Sequence, residues 1–379
     1  MKSEGNYEYR KVEHVEICLR DDITYGKFCD ALFNEMTLVH QALPGLKYSE
    51  IDLSTEFLNY ELNAPLVIEA ITGGHPQLKS INEGLAHLAH DFKIAIGVGS
   101  QRPLIKSNFN DEILETYRVV REIAHDVPLI GNIGIAQLRD LDTNVARKIV
   151  ESIKADALAI HLNPAQELIQ PEGDRDFEYE LLDKTAELVR ELGVPLIIKE
   201  VGNGLSMEVV KAFTKIGVRA FDVAGACGTN WAMVEALRNP ENTDARSLGL
   251  VISQMPWGIP TPLSVIETRA ASPNSTVIAS GGLWDGIKAA KTLAVGGDLA
   301  GFARPILKNL LERGYEGAKK FLEKYILELK AVMFLTGARA PKELCKKPIV
   351  LGPNMIHYLS SRGIDADLYI KETRCGASI

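Results

Sequence analysis

The sequence predicts an α/β fold, a single (β/α)8 barrel with an N-terminal extension and a long loop after the sixth strand. Three observations carry this. Short β-rich runs recur eight times, with amphipathic stretches between them. The runs are near-continuously apolar rather than alternating, which marks strands covered on both faces of a parallel sheet. Polar and glycine-rich clusters follow the ends of the runs, where this architecture carries its chemistry.

Residues 1–64 precede the first strand and form an extension with its own polar and aromatic content. The predicted strands are Pro65–Ile71, Lys93–Val98, Pro128–Ile133 and Ala157–Leu162, then Pro195–Val201, Ala220–Ala224, Thr276–Ser280 and Leu299–Ala303. Asn144–Lys154, Tyr179–Leu192 and Met207–Ile216 have helical apolar spacing and lie between them. Gly225–Pro262 is too long for a simple crossover and holds Trp231, Trp257 and the turn-rich Gly258–Pro262. Such a loop is either a lid over the site or an insertion with its own small helix. Ile306–Leu335 predicts a long closing helix. The barrel thus spans 65–335, the tail 336–379, and the whole 1–379 is one domain.

Composition is that of a globular protein, 46% hydrophobic and 24% charged, enough for a large core. The net charge of -8 argues against nucleic-acid binding, which needs a basic footprint. No run of apolar residues is long enough for a membrane span, and Met1–Arg20 lacks an apolar leader core. Cysteines at 18, 29, 227, 345 and 375 show no CxxC or zinc-type spacing. Disulfides are not expected, and a cytoplasmic location is.

The most informative segment is His161-Leu162-Asn163-Pro164-Ala165-Gln166-Glu167, at the end of the fourth strand. Glu167 suits a hard cation; His161, Asn163 and Gln166 suit orienting a polar substrate or moving a proton. By itself the heptad also fits a capped strand–helix turn. Glycines mark other strand ends: Thr72-Gly73-Gly74, Gly97 to Ser100, Gly131 to Gly134, Gly225 to Thr229, and Gly281-Gly282. Glycine lets backbone approach a ligand, and helix N-termini behind such turns offer free N–H groups to phosphate. Barrel phosphate sites follow strands seven and eight, here Gly281-Gly282 and Ala303-Arg304. Lys199 ends the fifth strand and points into the barrel mouth, to stabilise negative charge or to pair with Glu200 or Glu69. Arg10-Lys11, near His14, and Ser100-Gln101-Arg102 suit a second anion, while Arg10-Lys11 by itself also fits a solvated face.

Together these residues resemble the type II isopentenyl-diphosphate Δ-isomerases, the flavin-dependent form. The resemblance runs through RKVEH at 10–14, TGG at 72–74, GSQR at 99–102, GNIG at 131–134 and HLNPAQE at 161–167. It continues through KEVGNGLS at 199–206, VAGACGTNW at 223–231, WGIPT at 257–261 and SGG at 280–282. The chain departs from the family pattern at Ile71, where Met is common, at Cys227 inside a usual Gly-Gly-Thr, and at Leu283-Trp284, where Ile-Arg is common.

The resemblance implies an FMN-binding type of barrel, Mg2+, and a homo-oligomer, a tetramer or octamer. It implies isomerisation of isopentenyl to dimethylallyl diphosphate in isoprenoid biosynthesis, with NADPH or another reductant keeping the flavin reduced. Carried over, Ala70, Ile71, Thr72, Ser100, Asn132, Lys199, Thr229, Gly281, Gly282, Ala303 and Arg304 would contact FMN. Arg10, Lys11, His14, Ser100, Gln101, Arg102 and Gln166 would bind substrate, and Glu167 would hold Mg2+. Gln166, His161 and Asn163 would act in catalysis beside reduced FMN.

Rival readings are an FMN-dependent oxidoreductase on the same barrel and a non-catalytic flavin-binding regulator. The former needs a His/Arg pair late in the barrel, yet the one histidine after His161 is His357, in the tail. A dehydrogenase with Cys227 as nucleophile lacks matching surroundings.

Overall fold

The computed structural model describes residues 9–20, 23, 24, 26–238, 243–254 and 257–376. Eight parallel strands close into a barrel in chain order. They are β1 (Leu66–Ile68), β2 (Ala95–Gly97), β3 (Leu129–Gly134), β4 (Ala157–Leu162), β5 (Leu196–Glu200), β6 (Ala220–Asp222), β7 (Thr276–Ser280) and β8 (Leu299–Phe302). Each falls within one residue of a predicted run or inside it. Every residue of β3, β5 and β8 is buried, which is why these strands read as continuous apolar runs.

The intervening helices start on side-chain caps. Asn110, Asp142, Ser206 and Asp285 each accept a backbone N–H at the start of the helices Asp111–Ile123, Thr143–Ile153, Met207–Lys215 and Gly286–Ala294. Their apolar stripes bury Ile149, Val210 and Leu293 against the outer faces of the strands. The predicted closing helix spans Arg304–Thr336, broken at Gly314, whose φ is 68°.

Inside the barrel, side chains stack in layers by the two-residue period of a strand. Val67, Ala95, Ile130, Ala159, Ile197, Ala220, Ile278 and Leu299 form an apolar cluster. A hairpin, Thr55–Phe57 paired with Tyr60–Leu62, adds Phe57 and Leu62 to it and plugs the barrel's lower end. Two residues further along each strand comes another layer: Glu69, Gly97, Asn132, His161, Lys199, Asp222, Ser280 and Gly301. That layer is polar, and it is the floor of the mouth.

The N-terminal extension crosses this mouth. It contributes helices α1 (Tyr9–Cys18) and α2 (Gly26–Asn34) and a strand, Met36–Leu38. The segment read as a tail is folded onto the molecule: Ile349–Leu351 pairs antiparallel with Met36–Leu38, and Met355, Leu359 and Tyr369 are buried. The loop after β6 carries two helices, α4 (Trp231–Arg238) and Thr243–Gln254. Among the described residues, no helix is long and apolar enough to cross a membrane.

Two pairs of cysteines are joined, Cys29 to Cys227 and Cys345 to Cys375; Cys18 is free and buried. This corrects the expectation of no disulfides. The partners lie 198 and 30 residues apart, so spacing carried no trace of them.

Candidate active site

The floor is built by strand register. Lys199 on β5 and Asp222 on β6 are direct neighbours, and Lys199 Nζ lies 3.1 Å from the Asp222 carboxylate and 3.9 Å from Glu69. It also donates to the Glu200 carbonyl at 2.9 Å. Burial alone would lower the Lys199 ammonium, but Asp222 and Glu69 hold it above its ordinary value. Of the partners read from sequence, Glu69 is present and the Glu200 carboxyl is not; the nearest, Asp222, had not been singled out.

Around the floor runs a cradle of glycines and small polar groups. Gly281 and Gly282 have φ of 102° and 78°, and a Cβ on either would strike the Gly225 or Cys227 carbonyl. The Thr72 hydroxyl is buried and meets no hydrogen-bond partner. Ala70, Ile71, Ser100, Asn132, Thr229 and Ala303 line the same cavity. Arg304 lines it too, but its guanidinium reaches the N-terminal extension. Nε donates to the Cys18 carbonyl at 2.7 Å and another nitrogen to the Arg20 carbonyl. The group also lies 5.2 Å over the Trp284 ring.

The roof comes from α1 and from helix α3 (Pro164–Ile169), which opens straight after β4. Lys11 Nζ donates to the Ser100 carbonyl at 2.5 Å and to the Tyr117 hydroxyl at 3.1 Å. Burial, then the Arg10 charge, lowers the Lys11 ammonium well below its ordinary value. Arg10 pairs with Glu172 at 3.3 Å, and Arg102 lies 3.8 Å from Glu167. Glu167, 5% exposed, accepts from Asn163 at 3.1 Å and from the Asp174 N–H at 2.7 Å.

Gln101 is the exception among the residues proposed from sequence. It does not line the cavity: its amide is buried in the wall, accepting from the Asn132 N–H at 3.0 Å and donating to the Ile149 carbonyl at 3.3 Å. It braces the β3 loop rather than facing a ligand.

His161 projects from β4 with Nδ1 2.9 Å from Asn132 Oδ1. Since the amide oxygen only accepts, Nδ1 carries the hydrogen and Nε2 is the open acceptor. Burial, then the charges of Lys199, Lys11, Arg102 and Arg10, depresses its pKa to about 3, so the ring is neutral.

Gln166 is held at both ends: its NH2 donates to Glu235 at 2.9 Å and its oxygen accepts from Asn163 at 3.3 Å. Glu235, from α4, also meets His14 Nε2 at 2.9 Å and Arg238 Nε at 2.8 Å. Burial would raise this carboxyl, yet His14, Arg238 and Gln166 bring it down to about 2. Sequence reading missed Glu235. The one signal was an acidic residue in the apolar run of Trp231–Leu237, inside the long loop.

Residues 146–351, just over half of the chain, match the family model for FMN-dependent dehydrogenases. An isopentenyl-diphosphate delta-isomerase of Sulfurisphaera tokodaii is 42% identical over 95% of this chain and 96% of its own. Proteins of that name from Methanothrix thermoacetophila and Aeropyrum pernix are 40% and 38% identical, over 95% and 99% of this chain and 98% of each of theirs. The chain belongs to the isopentenyl-diphosphate delta-isomerase family. A lactate oxidase of Pediococcus acidilactici superimposes with a TM-score of 0.63 at 15% identity, covering 91% of this chain and 90% of that one. A mandelate oxidase gives 0.62 at 13%, covering 91% and 98%. These two likenesses concern the fold.

The residues fit the family's cofactor. An FMN-sized ligand would explain why Thr72 leaves a buried hydroxyl unpartnered and why the Gly281-Gly282 turn excludes any side chain. For a divalent ion, Glu167 offers one buried hard oxygen donor, and a magnesium ion ordinarily takes one or two carboxylates with substrate phosphates and water. The donor set therefore fits Mg2+ only with a phosphorylated co-ligand. The chain's departures from the isomerase pattern also find places. Ile71 and Trp284 line the cavity, and Cys227 is spent in a disulfide, which removes it as a nucleophile. His357 is exposed on the helix Pro353–Ser361 and lines no part of the cavity, so the histidine of an oxidase-type site is missing.

Proposed function

We propose that this protein isomerises isopentenyl diphosphate to dimethylallyl diphosphate, moving a double bond by adding one proton and removing another. The observation that carries the reading is a single cavity in which a glycine cradle and Lys199 meet a cationic roof of Arg10, Lys11 and Arg102 beside Glu167. Reduced FMN, when bound in the cradle, supplies the acid and base at the alkene; NADPH or another reductant keeps it reduced.

The chain's own residues do the rest. Arg10, Lys11 and Arg102 bind the diphosphate, and Glu167, 3.8 Å from Arg102, would hold Mg2+ beside it. His161 and Ser100 add polar contacts. Asn163 fixes both Gln166 and Glu167, and Glu235 fixes the Gln166 amide from the other side. An amide is a poor base, so Gln166 orients and relays. Val15, Leu283 and Phe302 line the cavity and keep water from a carbocation-like species. Diphosphate binding supplies the energy that positions the alkene.

We further place the protein in the cytoplasm as a homo-oligomer, a tetramer or octamer. Disulfides persist inside some heat-adapted cells, so the two cysteine pairs do not oppose that location.

The test is an anaerobic assay with isopentenyl diphosphate, Mg2+ and FMN, with and without reductant. Product only with reduced flavin, and no stoichiometric use of reductant, supports the reading; flavin binding without product overturns it. Glu167→Gln is expected to raise the Mg2+ concentration needed for turnover while FMN affinity stays at the wild-type value. An unchanged Mg2+ requirement would remove Glu167 as the metal's ligand.

A further inference from the structure

Glu69 is a buried carboxyl that the proposed chemistry leaves unused. It follows β1 in the polar layer, 9% exposed, and its neighbours are set by register. On one side is Gly301 of β8, where any Cβ would strike Glu69 Oε1. The carboxyl fills the space that this glycine leaves. On the other side are Lys199, at 3.9 Å, and Asp222, whose carboxyl is within hydrogen-bonding reach of Glu69.

The charge count does not close if every acid is ionised. One ammonium serves two buried carboxylates, and it sits closer to Asp222, at 3.1 Å. Asp222 Oδ1 accepts from the Ser280 hydroxyl and from the Ala224 N–H at 3.3 Å. Glu69 Oε1 is buried and meets no donor, while the Lys199 ammonium lies 3.1 Å from Asp222 Oδ2. The other side chains of the layer bring none: Asn132 and neutral His161 are bonded to each other. A buried carboxyl beside another acid, with its ammonium neighbour 3.9 Å away and one oxygen without a donor, is better held neutral than ionised.

We propose that Glu69 is protonated in the folded protein and donates that hydrogen to Asp222, so that the Lys199–Asp222–Glu69 floor carries no net charge. The proton belongs on Glu69 because Asp222 already has the ammonium and two donors to stabilise its anion. The direction agrees: burial, then the Asp222 charge, pushes Glu69 well above the carboxylate range, against the pull of Lys199 and a backbone N–H. Glu69 is then a positioning residue. It fixes the Asp222 carboxylate, which fixes the Lys199 ammonium. An ionised Glu69 would instead add a negative charge where an electron-rich reduced ring must sit. That last consequence rests on FMN lying over Lys199; the protonation itself does not.

The decisive experiment uses the cofactor-free protein. Infrared spectra at neutral pH are expected to show the carbonyl stretch of a protonated carboxyl in wild type and not in Glu69→Gln. A wild type without that band overturns the proposal, whatever the activity. Asp222→Asn, which changes the acceptor, should shift the band; an unshifted band puts the proton on another acid and also overturns it. With FMN loaded, Glu69→Gln should leave the ratio of reduced to oxidised flavin affinity unchanged, because a neutral donor replaces a neutral donor. If Glu69 were ionised, loss of its charge from beside the ring would change that ratio by about tenfold or more. Glu69→Ala should lower kcat with little change in KM, and Glu69→Gln should restore it; a purely structural role would lower thermal stability without that split.

Discussion

At the scale of single residues, the site is a set of polar groups fixed by other polar groups. Gln166 has no freedom to rotate while Glu235 and Asn163 hold its two ends. Glu235→Gln keeps the shape but makes the acceptor ambiguous and removes the charge. We expect kcat to fall about 100-fold, the scale of a lost proton-handling group, with FMN affinity unchanged. Steady-state kinetics beside a flavin titration checks this, and a wild-type kcat would show that Gln166 needs no such support. His161 sets a pH dependence of stability. Its folded pKa of about 3 lies below the ordinary 6.5, so between those values the unfolded chain binds a proton that the folded chain does not. Stability from this group is present above pH 6.5 and is lost as pH falls, at up to about 1.4 kcal/mol per pH unit. Chemical denaturation at pH 7 and pH 5 should show a shallower loss in His161→Gln than in wild type; equal losses would mean that the ring is charged when folded.

The same scale shows what was legible. HLNPAQE was legible because a proline and four polar side chains interrupt an apolar strand, a pattern that a plain core does not produce. Glu69 was legible as a partner for Lys199, whereas Asp222, countable as inward-facing from the two-residue period, looks like an ordinary acid at a strand end. Gln101 shares a motif with Arg102, but adjacent residues on a turn face different ways, and only Arg102 reaches the cavity. Arg304 had the right position after β8; what it bonds to here lies 284 residues away in the chain.

At the scale of elements, the strands were readable because burial on both faces leaves an uninterrupted apolar signature. The loop after β6 was readable as a lid or as an insertion with its own small helix; it carries two helices, whose packing on each other and on α1 and α3 its own pattern did not show. The extension is fastened to that loop at several points. Thr24 bridges Thr229, the Asn230 N–H donates to the Ile23 carbonyl at 2.8 Å, and Cys29 is joined to Cys227. A cross-link over a long loop stabilises by about 2–4 kcal/mol, chiefly by restricting the unfolded chain. Cys29→Ser is expected to lose that amount in denaturant titrations and to speed amide exchange in α2. Stability equal to wild type under non-reducing conditions would show that the pair is not joined in solution.

At the scale of the whole molecule, the roof joins the N-terminal extension to segments that follow β4 and β6: α1, α3 with the turn after it, and α4 share the network of Gln166, Glu172, Glu235 and Arg238. A ligand held by that network should tighten distant parts together. Inorganic diphosphate with Mg2+, at 100 times its Kd, is expected to raise unfolding free energy by about 2.7 kcal/mol. Hydrogen exchange should slow in α1 and α4 as well as at the strand ends. Protection confined to the glycine turns would mean that the extension takes no part in binding.

The strand Met36–Leu38 pairs with Ile349–Leu351, and the Val39 N–H donates to the Pro348 carbonyl at 3.0 Å. The ribosome makes the first of these strands long before the second. Helix α1, with Arg10 and Lys11, is born before any of the barrel it must cover, and the Arg304 that holds its far end comes late. Contacts so distant in sequence form slowly and wait for both partners. A chain interrupted before residue 351 would carry every glycine of the cradle, all of HLNPAQE and the partners of α1, yet lack the strand that pairs with Met36–Leu38. The contacts that seat α1, to Glu172, to the loop after β6 and to Arg304, can therefore form before this pairing, so the roof is assembled first and the strand Met36–Leu38 is fastened afterwards.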